Sequence, residues 1–170
     1  RGMCSRNELG LGWFGVPDPA GHLLKAFDAA GYQTGDTWTI LTAEVTKIRD
    51  ARMPGYAGMT LDRFDRPDEA EHDAVVRIKG ADAAECSLWS PPAIFSDAEE
   101  FTAWTTLELI EVQAPFRRQG LARWLLGEQA RRLESRGIRH LMAWVEPANA
   151  ASLSLLTGCG FHPVTTSRCL

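Results

Sequence analysis

The chain has few of the residues that declare a chemistry by themselves. Four cysteines occur in 170 residues, and no two of them stand in a C-x-x-C spacing. Cys4, Cys86, Cys159 and Cys169 therefore point to neither a zinc ribbon nor a disulfide framework, and they read as reduced thiols of a cytoplasmic protein. His22, His72, His140 and His162 are scattered and contain no H-E-x-x-H, so no metal is expected. Neither a G-x-S-x-G elbow nor a G-x-x-x-x-G-K-[ST] loop is present, which argues against a serine hydrolase and a P-loop NTPase. No apolar run approaches the roughly 20 residues of a membrane span, so no membrane partner is expected. Arg1-Gly2-Met3-Cys4 leads into no apolar h-region, and a secretory signal is not expected either. Tyrosine is scarce: Tyr32 and Tyr56 are the two in the chain, so few positions can offer a phenolic proton.

What is present is the composition of one globular domain, with 45% hydrophobic and 24% charged residues. The net charge of -4 makes nucleic acid an unexpected partner. Its distribution is uneven. Arg117, Arg118, Arg123, Arg131, Arg132, Arg136 and Arg139 form a basic run, while Asp62, Asp65, Asp68, Glu69, Glu71 and Asp73 form an acidic one. The acidic run reads as solvated surface, in a loop or exposed helix over Asp62 to Asp73. The basic run suggests a local anion site.

Periodicity supplies the elements. Leu23, Leu24, Phe27 and Ala30 predict an amphipathic helix over Pro19 to Ala30 that stops at Gly31. Strands are expected over Thr37 to Val45, Asp73 to Lys79 and Ala83 to Trp89, the last two joined at Gly80-Ala81-Asp82. Ser96 to Glu99 fits a capping box. Thr105 to Val112 is a further strand. Strict alternation there puts Thr106, Glu108, Ile110 and Val112 on one face, and Leu107, Leu109 and Glu111 on the other. A helix follows to about Arg136, then a strand over Ile138 to Val145, then a helix from Ala150 capped by Asn149. Strand, helix, strand in this order implies a parallel pair with a crossover.

Between the strand and the helix lies Arg117-Arg118-Gln119-Gly120-Leu121-Ala122. A helix start carries unpaired N–H groups and the positive end of the dipole, which together stabilise a phosphate. Gly120 and Ala122 let the phosphate approach the backbone, and the arginines add charge. Here the chain resembles the GNAT superfamily of acyl-CoA-dependent N-acyltransferases. That family's pyrophosphate loop is R/Q-x-x-G-x-G/A, met by Arg117, Gly120 and Ala122, with Val112 ending the strand before it. A second signature, Asn then helix then Gly-Phe, is met by Asn149 and by Gly160-Phe161. The two span roughly Leu107 to Phe161.

The resemblance implies an α/β (α+β) GNAT fold: a mixed twisted sheet flanked by helices, with a cofactor cleft between two splayed parallel strands. It implies acetyl-CoA (coenzyme A) as cosubstrate and a primary amine of a small molecule or peptide as acceptor, by direct attack on the thioester. Ile110, Glu111 and Val112 would pair with the pantetheine arm. Arg117, Arg118, Gln119, Gly120, Leu121 and Ala122 would hold the pyrophosphate, and Asn149 would reach the pantetheine or the helix end. Glu108 is the candidate general base, with a solvent-facing strand residue as the equal alternative. Many members carry a tyrosine seven residues after the Asn as general acid; here that position is Leu156. An alternative reading follows: a weak or inactive GNAT-fold module that binds acyl-CoA in a regulatory or structural role.

The N-terminal part departs from the family. Ala20 to Tyr32 aligns without gaps on Asn149 to Phe161, as though residues 1–45 were the remnant of a preceding GNAT unit and 46–170 the GNAT domain of a tandem protein. Only nine residues follow Phe161. The N-terminal strand is thus expected to complete the sheet in this chain or in a second copy, the latter implying a homodimer.

Overall fold

A computed structural model of the chain describes residues 37–48, 52–66, 71–89 and 103–168, together with Ala29. The capping box at Ser96 to Glu99 lies outside these residues. So does the N-terminal helix, except for Ala29, which is helical.

Among the described residues seven strands form one sheet: β1 Thr37–Glu44, β2 Met59–Arg66, β3 Glu71–Ile78, β4 Ala81–Trp89, β5 Trp104–Val112, β6 His140–Val145 and β7 His162–Arg168. Two helices, α1 Leu121–Glu134 and α2 Ala150–Gly158, follow β5 and β6 respectively. The order across the sheet is β2-β3-β4-β5-β6-β1-β7. Strands β2 to β5 form an antiparallel meander, and β5 to β6 is the parallel pair that the strand–helix–strand order predicts.

The acidic stretch corrects the sequence reading. Met59–Arg66 is a strand paired with Glu71–Ile78, where a loop or exposed helix is expected over Asp62 to Asp73; the strand expected over Asp73 to Lys79 is most of β3. The charges of Asp62 and Asp73 do not preclude this, because they fall on the sheet face away from α1, opposite Val75 and Phe64 respectively. Asp62 pairs with Arg77, and Asp73 accepts a hydrogen bond from Ser87 Oγ at 2.6 Å. The apolar residues of β3 show the other side: Ala74, Val76 and Ile78 are buried. The hairpin between β3 and β4 turns at Lys79-Gly80, one residue earlier than expected. Both residues have positive φ (52° and 83°), as a two-residue turn of right-twisted strands requires.

Helix α1 covers the inner face. Leu121, Leu125, Leu126 and Leu133 are essentially inaccessible. At about 2 kcal/mol for each buried leucine side chain, they are major contributors to the core. The polar part of this seam is bonded. Arg132 Nη1 donates to the Asp73 carbonyl and to Gln129 Oε1, each at 3.2 Å, and Arg63 bridges β2 to Glu128 at 3.1 Å.

Strand β1 sits between β6 and β7 and is antiparallel to both. Residues 37–44, which precede the expected 45/46 boundary, therefore lie inside the sheet. The sequence left open whether the N-terminal strand completes this sheet or that of another copy; in the structure it is this chain's own. Chain geometry explains the need. β6–α2–β7 is a crossover that skips one position, and without β1 the last strand would have no neighbour.

Candidate active site

Three features converge at the C-terminal end of β5. The first is a bulge. β4 and β5 pair Ser87 with Leu109 and Leu88 with Leu107, leaving Glu108 as the extra residue. One inserted residue reverses the alternation beyond it. The strict face assignment over Thr105 to Val112 is thus overturned. Ile110 and Val112 lie opposite Cys86 and Ala84, so they share the helix-covered face with Leu107. Thr106, Leu109 and Glu111 lie on the other face, opposite Trp89, Ser87 and Glu85. Glu108 itself is exposed at the bulge, no longer in line with Ile110 and Val112.

The second feature is a splay. β5 and β6 pair only from Trp104/His140 to Leu107/Ala143. β5 continues to Val112, so the edge of residues 108–112 facing β6 has no strand partner among the described residues. An extended ligand could pair with backbone groups of Ile110, Glu111 and Val112 along that edge.

The third is the loop before α1. Ala114–Phe116 forms a 3₁₀ turn, and the Gln113 N–H donates to the Ala83 carbonyl at 2.9 Å. Arg117 folds back, its Nε donating to the Val112 carbonyl at 2.8 Å. Arg118 (φ 62°) and Gly120 (φ 83°) are both left-handed and bracket Gln119. Such turns aim backbone N–H groups into a shared concavity that suits an anion. The first helical bond runs from the Trp124 N–H to the Gly120 carbonyl at 3.0 Å. The N–H groups of Leu121 and Ala122 precede it and have no intrahelical acceptor. A Cβ built on Gly120 would meet nothing within 4 Å, so the space over the loop is open. A diphosphate fits this cradle: orphan donors, a helix start, and room where a side chain would otherwise stand.

Around this centre the remaining residues take defined places. Asn149 caps α2, its Oδ1 accepting from the Ser152 N–H at 3.1 Å, which is the helix-end role of the two expected. Leu156 is 1% exposed, packed in the core. Thr157 Oγ1 is bonded to the Leu153 carbonyl at 2.7 Å within the helix. Burial pushes the Cys159 thiol up against the opposing pull of Arg123, and burial together with the Asp73 charge pushes Cys86 up to about 12. Neither is a thiolate at neutral pH. Among the described residues no group of three or more metal-ligating side chains assembles, and no helix is long and apolar enough to cross a membrane. The basic run is largely absorbed by structure. Arg131 pairs with Glu128, Arg132 bonds β3, and Arg123 lies against Cys159.

The sequence model of the acetyltransferase (GNAT) family matches residues 49–161. The chain belongs to the GNAT acetyltransferase family. Solved GNAT structures share the fold at low identity. A GCN5-related N-acetyltransferase from Kribbella flavida superposes with a TM-score of 0.61 at 13% identity, over 88% of this chain and 62% of its own. A tandem GNAT protein from the clavulanic acid biosynthesis pathway gives 0.68 at 11%, over 92% and 59%. The ribosomal-protein-S18-alanine N-acetyltransferase from Escherichia coli gives 0.51 at 22%, over 63% and 79%. This GNAT chain thus spans less than two thirds of the length of the first two. No curated protein sequence matches it significantly. The family match begins after β1, so a strand from outside the matched region fills a slot inside this GNAT sheet.

Two features of the site had no sequence signal. The bulge at Glu108 depends on how β4 registers against β5. Tyr56, 63 residues away in sequence, donates a hydrogen bond to Gln119 Oε1 of the loop, which only the folded chain reveals.

Proposed function

We propose that the chain is an acyl-CoA-dependent N-acyltransferase that transfers the acetyl group of acetyl-CoA to a primary amine of a small molecule or peptide. The observation that carries this reading is the turn at the head of α1 in which left-handed Arg118 and Gly120 bracket Gln119, beside the splay of β5 from β6. The N–H groups from Arg118 to Ala122 would hold the pyrophosphate, and the free edge of Ile110 to Val112 the pantetheine arm. Acetyl-CoA would supply a thioester whose C–S bond breaks as the amine nitrogen bonds the carbonyl carbon, with the departing thiolate taking up a proton. Glu108, raised out of the β4–β5 ladder by the bulge, would accept the proton of the acceptor ammonium, directly or through water. Leu156 supplies no acid, so thiolate departure would rely on solvent.

The buried Leu156 also favours a second reading, a binding module with little or no turnover. Incubation with acetyl-CoA and a panel of amines, following free thiol together with thermal stabilisation by CoA, separates the two. Stabilisation with thiol release supports the enzyme; stabilisation alone supports the module; no stabilisation by CoA sinks both. Glu108→Gln should lower turnover by about 100-fold, within the usual range for a lost general base, and leave CoA affinity unchanged. Full activity in that variant removes Glu108 from the role. We further propose that the chain is the C-terminal part of a tandem GNAT protein, a reading favoured by β1 entering the sheet from outside the matched region.

A further inference from the structure

The loop that would hold the pyrophosphate is held in turn by a residue outside it. Tyr56 Oη donates to Gln119 Oε1, and Gln119 Nε2 donates to the Pro115 carbonyl at 3.2 Å. The Tyr56 ring meets Phe116 edge-on, with centroids 5.9 Å apart and planes at 86°. Gln119 is thereby clamped at both ends of its carboxamide, and Tyr56 touches the loop at its beginning and its end. The clamped residue stands between the two left-handed ones, Arg118 and Gly120. A non-glycine residue in that conformation costs about 1–2 kcal/mol and persists only where its surroundings over-determine it. Arg117, bonded to the Val112 carbonyl, anchors the loop on one side of Arg118. On the other side the anchor is Gln119, and Tyr56 orients it. Tyr56 is itself fixed. It is half-buried against the core, and its N–H donates to the Pro54 carbonyl at 3.0 Å in the Pro54-Gly55 turn.

We infer that Tyr56 is a positioning residue for the anion loop, setting the direction of its N–H groups through Gln119 without touching the reacting atoms. This rests on the reading of the loop as the pyrophosphate site. It assigns a role to the segment before β2, which carries no motif. The contribution is to cosubstrate affinity, because the clamp acts on the loop and not on the bulge at Glu108.

The test is a double-mutant cycle read by calorimetric titration with CoA and by steady-state kinetics. Tyr56→Phe keeps the ring contact with Phe116 and removes one hydrogen bond. CoA affinity should fall about fivefold, the worth of a typical net hydrogen bond. KM for acetyl-CoA should rise in step, while kcat stays within about twofold. Gln119→Met should cost a similar factor. The double variant should be no weaker than the weaker single variant, because both remove one clamp. A Tyr56→Phe protein that binds CoA like the parent overturns the inference, and so do losses that multiply in the double variant. A parent protein that fails to bind CoA overturns the inference and the site reading together. If the parent binds and the cycle shows no coupling, only the clamp is refuted.

Discussion

Gly120 and Gly160 both belong to signature segments of the family, yet the structure assigns them different work. Alanine at each position should separate the two. Gly120 has φ 83° and would place a Cβ in open space, with no heavy atom within 4 Å. Its substitution costs only the left-handed backbone, about 1–2 kcal/mol. Gly160 has φ 105°, and its Cβ would stand 2.8 Å from the Lys47 carbonyl oxygen. That contact is to backbone, which cannot rotate aside. The cost combines backbone strain of about 1–3 kcal/mol with overpacking of about 1–3 kcal/mol, together about 2–6 kcal/mol. With a urea m-value of about 2 kcal/mol/M, the midpoint should drop by about 0.5–1 M for Gly120→Ala and about 1–3 M for Gly160→Ala. Binding should reverse the order. A methyl at Gly120 would intrude where the orphan N–H groups would meet the proposed pyrophosphate, so CoA affinity should fall about tenfold or more. Gly160 packs against the 3₁₀ turn after β1, and its variant, assayed cold where it is folded, should bind CoA within about twofold of the parent. Urea denaturation followed by circular dichroism and calorimetric CoA titration measure both arms. The reasoning fails if Gly120→Ala is the less stable protein, or if Gly160→Ala is the weaker binder.

Removal of residues 1–45 should leave a chain without a cooperative thermal transition, because β7 would lose the one strand neighbour it has among the described residues and the sheet an interior strand; a sharp melt would show instead that the segment from 46 onward folds alone. Leu156→Tyr, which places a tyrosine where the resemblance expects a general acid, should destabilise the protein by about 1–3 kcal/mol and leave kcat unchanged, since the side chain points into a packed core at 1% exposure. A rise in turnover would show that position 156 faces the acyl group.

Much of this was legible in the chain itself, and the reasons are local. The helical spacing of Ala122, Leu125, Leu126, Ala130 and Leu133 and the capping Asn149 are consequences of helix geometry over a few turns. The loop from Arg117 to Ala122 could be recognised because its residue types match the family's R/Q-x-x-G-x-G/A pattern within six positions. The misreadings share one cause. The acidic stretch over Asp62 to Asp73 alternates too weakly to announce a strand, and its strands are secured by partners: Arg77 and Ser87 on the outer face, and the buried Ala74, Val76 and Ile78 on the inner one. The expected alternation over Thr105 to Val112 holds up to Leu107 and inverts after it, because a bulge is a property of two strands in register.

Residue types at short, set spacings sufficed for the family and for the order of strand, helix, strand and helix around the loop from Arg117 to Ala122. Tertiary structure alone decided three things. It set β1 between β6 and β7, lifted Glu108 out of the ladder, and brought Tyr56 onto Gln119. Each of these depends on contacts between segments far apart in the chain, where pairing register and packing choose among arrangements that local periodicity leaves equal.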